Sequence, residues 1–151
     1  MRDFWWFWLP LFLVLAFILL SCGKGPVLEA GIYDMVLITT EDTCGLRNND
    51  LLTPSWYVDY VGDYYAVKHT QNDATISGEF DGEYIVMQKT EWDEVDGCEY
   101  TINNEVIIDP YGESFVGTMT DEYVACDGDI CTIVWALEGL KRKGTDEHGI
   151  Y

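Results

Sequence analysis

Apolar and polar side chains alternate along most of this chain with a period of two. In Ala74-Thr75-Ile76-Ser77-Gly78-Glu79-Phe80 the even positions are apolar or small and the odd ones polar. Tyr100, Ile102, Val106 and Ile108 alternate with Thr101, Asn103 and Glu105, and Phe115, Gly117 and Met119 with Val116, Thr118 and Thr120. Such alternation marks strands that bury one face. Turn residues interrupt it at short intervals: Gly62-Asp63 links Ser55–Val61 to Tyr64–Thr70, and Gln71-Asn72, Asp81-Gly82, Asp96-Gly97 and Asp109-Pro110-Tyr111-Gly112 follow. A two-residue loop at Asp81-Gly82 pairs Gly78 with Ile85 and Ile76 with Met87, placing apolar residues on one face. With Gly31–Thr40 at the start, the pattern predicts an all-β domain of about eight strands. A meander of that size closes most naturally into an up-and-down antiparallel barrel, which removes sheet edges.

The opening Gly31-Ile32-Tyr33 resembles the Gly-x-Trp start of lipocalin and avidin-like barrels, with tyrosine in place of tryptophan. The resemblance implies the same barrel. A β-sandwich of the immunoglobulin kind is the alternative, since Cys44 and Trp56 have a compatible separation. It lacks the tyrosine two residues before the later cysteine: Tyr123 lies three before Cys126, and position 124 is valine.

The last hairpin ties parity to the cysteines. Phe115, Met119 and Tyr123 share one parity with Ile133, Trp135 and Leu137, so facing partners must have an even sum. A loop at Asp127-Gly128-Asp129 pairs Cys126 with Ile130 and leaves Cys131 one step off. The cysteines Cys44, Cys98, Cys126 and Cys131 are even in number, which in an exported chain reads as two disulfides. The short spacing of Cys126 and Cys131 suggests one bridge across that loop through a bulge, leaving Cys44 for Cys98. A four-cysteine zinc site is disfavoured, because no CxxC pair is present.

At the N-terminus the pattern changes. From Phe4 to Leu20 no residue is charged, and only Pro10 interrupts the apolar run. Seventeen residues of helix reach roughly 26 Å, just short of a bilayer core. A positive Arg2, an apolar middle and a small residue at the end describe a secretory signal peptide, with an uncleaved anchor as the alternative. Leu19-Leu20-Ser21-Cys22 resembles the lipobox of bacterial lipoproteins, although Leu20 stands where a smaller residue is usual. That resemblance implies that Cys22 becomes the mature N-terminus and carries three acyl chains, palmitate among them. It places the protein on the extracytoplasmic side of the cell envelope, at the outer membrane if the host is Gram-negative. The organisation expected is a signal peptide over 1–21, a lipid-anchored tether over 22–29, the barrel over 30–141 and a flexible tail over 142–151.

The formal charge of −19 repels phosphates and anionic headgroups, so nucleic acid is excluded as a partner. The chain has two histidines, His69 near a turn and His148 in the tail, and no nucleophile-elbow motif. Acidic clusters (Glu41-Asp42, Glu91 with Asp93, Glu94 and Asp96, Asp121-Glu122, Asp127 with Asp129) offer carboxylates for glycosidase chemistry or calcium. None matches an EF-hand, and most read as solvated loop acids. No enzyme, metal or cofactor is expected. A barrel of this size either fills itself with side chains or holds one small ligand. The candidate interior residues are Ile76, Phe80, Ile85, Met87, Phe115, Met119, Ile133 and Trp135. The expected function is binding of a small apolar or aromatic ligand. The alternative is a filled-core envelope protein that docks a protein partner, with Tyr57, Tyr60, Tyr64 and Tyr65 as the patch. A cavity below about 300 Å³ counts against the first.

Overall fold

The computed structural model describes residues 27–47, 49–71 and 74–144, with the side chain of Val95 left out. The signal segment, Cys22 and residues 145–151 lie outside them. The strands are β1 (Gly31–Asp42), β2 (Leu51–Leu52), β3 (Ser55–Val61), β4 (Tyr64–His69), β5 (Thr75–Phe80), β6 (Ile85–Val95), β7 (Cys98–Pro110), β8 (Ser114–Val124) and β9 (Ile130–Lys141). Each pairs antiparallel with its neighbour, and β9 returns to β1 from Tyr33↔Lys141 to Asp42↔Ile133. The result is a closed eight-stranded barrel plus one short extra strand. That extra strand, β2, shares an edge of β1 with β3. Pro54 has no N–H to give a ladder, so the strand breaks there, although its carbonyl still accepts from the Met35 amide at 3.0 Å.

Period-two alternation sends one parity of each strand inward. Tyr33, Met35 and Leu37 of β1, Val106 and Ile108 of β7, and Ile133, Trp135 and Leu137 of β9 are all buried in one core. Asp34, Glu79, Gln88 and Glu138, on the other parity, are exposed. Of the eight interior candidates, Ile85, Met87, Phe115, Ile133 and Trp135 are buried, and Ile76, Phe80 and Met119 pack partly buried against them.

Two hairpins keep the expected parity but shift register by two residues. Asp81 and Gly82 do not form a two-residue loop. The Asp81 carboxylate accepts from the amides of Glu83 (2.9 Å) and Tyr84 (2.7 Å), and the Asp81 amide donates to the Tyr84 carbonyl. This capped turn needs four residues, so Phe80 faces Ile85 and Gly78 faces Met87. At the last hairpin, Ala125 donates to the Asp129 carbonyl and Gly128, at φ 87°, donates to Ala125. Val124 therefore faces Ile130, and Tyr123 faces Cys131. A shift of two leaves every side chain on its own face. The Asp96-Gly97 turn has two residues as expected, both at positive φ, with Val95 facing Cys98.

The disulfides differ from the expected pairing: Cys44 bonds Cys131, and Cys98 bonds Cys126. Closure is the reason. The β1–β9 seam carries Thr43 against Thr132, which brings Cys44 beside Cys131, 87 residues away. Cys126, in the β8–β9 loop, lies against the start of β7 instead. The domain limits also move. Leu28, expected in the tether, is fully buried in the barrel end. Arg142, expected in the tail, donates its amide to Ile32 and pairs its guanidinium with Asp34.

Candidate functional site

The two ends of the barrel differ. One end is filled. Leu28 pairs with Gly112 in a parallel bridge, and Glu29 donates to the Gly112 carbonyl at 2.9 Å. Tyr33 lies below, its ring 5.3 Å from Phe115, with its hydroxyl in reach of the Glu29 and Gly112 carbonyls at 2.8 and 3.1 Å. Burial, together with the charge of Glu29, holds the Tyr33 hydroxyl protonated well above its ordinary range. Lys141 reaches inward at this end and pairs with Glu29 at 2.8 Å.

The other end, which carries both disulfides, is open. Trp56, Val67, Ile76, Val106 and Met119 line the apolar part of a cavity of about 190 Å³, and His69, Lys89, Glu91 and Asn104 supply its polar edge. The cavity shares Trp56, His69 and Met119 with a wider mouth pocket of about 440 Å³, which also meets Leu37, Leu52 and Pro54. The inner chamber alone falls below the usual ligand-site volume, while the mouth lies within it. An apolar void of about 150 Å³ already accommodates a benzene ring.

The polar edge arises where three adjacent strands change character at one level. The inward positions of β6 run Ile85, Met87, Lys89, Glu91; those of β7 run Ile108, Val106, Asn104; those of β8 run Phe115, Gly117, Met119, Asp121. The register sets Lys89 opposite Asn104, and Asn104 opposite Asp121. Lys89 pairs with Glu91. Asp121 accepts a hydrogen bond from the Trp135 indole N–H at 3.1 Å. Burial pushes the Asp121 carboxyl above its ordinary range, and the indole bond only partly offsets this. Sequence reasoning counted Asp121 among the solvated loop acids and singled out neither Lys89 nor Asn104. The available signal was the switch from apolar to polar on one parity of consecutive strands.

A native pKa raised by burial means that the folded state binds the Asp121 proton more tightly than the unfolded chain does. Stability therefore falls as pH rises from the unfolded carboxyl range through the native pKa, and is level above it. Asp121→Asn keeps an acceptor for Trp135 without the charge. Thermal unfolding is expected to show it melting above the parent at pH 7, with the gain vanishing near pH 3. Equal melting temperatures at pH 7 would mean that the carboxylate is compensated in the fold.

The tyrosine patch expected on the surface does not form. Tyr57 and Tyr65 are buried, Tyr60 packs on Tyr65 with ring centroids 5.7 Å apart, and Tyr64 stays exposed. Among the described residues no three His, Cys, Asp or Glu side chains group closely enough to hold a metal ion. The site thus belongs to a closed antiparallel barrel whose described residues fill one end and leave a cavity at the other. Comparison with protein-family models, curated proteins and solved structures finds no match.

Proposed function

We propose that this is a lipid-anchored, non-catalytic extracytoplasmic protein whose barrel carries a small apolar or aromatic molecule in its open end. The carrying observation is the asymmetry of the interior: Leu28, Tyr33 and Phe115 fill one end, while Trp56, Val106 and Met119 face a cavity that opens to solvent. Both disulfides lie at that end of the barrel, consistent with an oxidising compartment. The lipobox resemblance at Cys22 supplies the anchor. Five residue steps from Cys22 to Val27 span at most about 18 Å, so a lipidated Cys22 keeps the filled end near the membrane and turns the mouth outward.

A neutral probe tests carriage. Titration of 2-phenylethanol is expected to change the intrinsic tryptophan emission saturably through Trp56, and Ile76→Trp, which fills the chamber, to weaken binding at least tenfold. No saturable change in the parent protein counts against carriage of a neutral ligand. Palmitate labelling in a lipoprotein-processing host, lost in Cys22→Ala, tests the anchor separately. A docking role has one feature in its favour: Trp92, 76% exposed, stands on the part of the β6–β7 hairpin that extends past the β5 ladder.

A further inference from the structure

We infer that the open end selects a small organic cation, an amine with an aromatic or apolar body, whose ammonium meets the Asp121 carboxylate while the body rests on Trp56, Val106 and Met119. The inference rests on the barrel carrying a ligand at all, and it concerns the sign of that ligand's charge. Lys89, Glu91 and His69 line the chamber, and Asp121 stands just beyond that lining. Lys89 is matched by Glu91 on the same strand. Arg47, at the same end, pairs with Asp50 at 3.6 Å. Among the described residues, the hydrogen-bond donor that reaches Asp121 is neutral, the Trp135 indole. It lies two residues along the inner face from Met119 and directly opposite Asn104, both of which line the chamber. A half-buried carboxylate has lost hydration that a single indole bond replaces only in part. An entering ammonium restores that loss and gains a charge-assisted hydrogen bond, with the Asn104 amide beside it as a further polar contact. A ligand carboxylate would meet repulsion at the same point. The overall charge of −19 also raises the local concentration of cations around the mouth.

Three probes with one body separate charge from shape: 2-phenylethylamine, 2-phenylethanol and phenylacetate, positive, neutral and negative at pH 7. Their dissociation constants are compared by tryptophan emission and calorimetry in about 0.15 M salt, where the Debye length is about 8 Å and the diffuse field is weak. The amine is expected to bind at least tenfold more tightly than the alcohol, and phenylacetate more weakly than either. Asp121→Asn, and independently Asp121→Ser, are expected to bring the amine to within twofold of the alcohol. Each variant removes one charge of a large excess, so a preference due only to the global field would survive it. Equal binding of amine and alcohol to the parent protein overturns the inference and leaves carriage standing. So does an amine preference that persists in both variants. Failure of all three probes to bind removes both.

Discussion

Removing the Cys44–Cys131 bridge by alanine at both positions is expected to lower the unfolding free energy by about 4–5 kcal/mol, and removing Cys98–Cys126 by about 3–4 kcal/mol. The difference follows from loop length, 87 residues against 28, because a longer closed loop removes more entropy from the unfolded chain. A domain of this size has about 5–15 kcal/mol in total, so the first loss brings the fold near its limit. Equilibrium denaturation in urea measures both. The seam bridge also ties the end of β1 to the start of β9 at the open mouth, where the long β1–β3 connection returns to the barrel. Probe binding is therefore expected to weaken in the Cys44/Cys131 variant before the protein unfolds. Non-reducing proteolysis with mass spectrometry checks the pairing itself: a peptide linking Cys126 to Cys131 would contradict the barrel's register.

Gly78→Ala is expected to cost about 3 kcal/mol or more, the upper end for overpacking. A Cβ at Gly78 would lie 1.8 Å from the Val86 carbonyl oxygen and 2.6 Å from the Met87 Cα. Both are backbone atoms of the adjoining strand, so no side chain can rotate away. A glycine inside a strand marks such a close approach of another backbone. Gly117 repeats the arrangement against the Ile107 carbonyl at 2.1 Å. Chemical denaturation gives the value, and a loss under about 1 kcal/mol would show that β5 and β6 can separate without penalty. Because Ile76 and Lys89 lie just beyond this contact, a surviving Gly78→Ala protein is also expected to bind 2-phenylethanol less tightly.

The parity of Ile85, Met87, Phe115 and Trp135 was legible in the chain because a side chain's face depends on its own strand alone. The Gly62-Asp63 and Asp96-Gly97 turns were legible for a similar reason: two residues suffice, with glycine supplying positive φ at 63° and 78°. Asp81 misled because its carboxylate competes for the amides of Glu83 and Tyr84, and side-chain capping of this kind enlarges a turn without changing its composition. Leu51-Leu52 was missed because two residues are too few to show a period. Lys89, Asn104 and Asp121 each looked like an ordinary polar residue, since only their alignment across three strands makes a rim.

Local alternation of apolar and polar residues was enough to require β-strands, to number them approximately and to assign the apolar residues to the inside. Which residues meet across the barrel was set by closure. The β1–β9 seam depends on the summed register of every hairpin between them, a quantity no single segment carries. That closure joined Cys44 to Cys131, sealed one end with Leu28 and Tyr33, and left Asp121 beside an open chamber at the other.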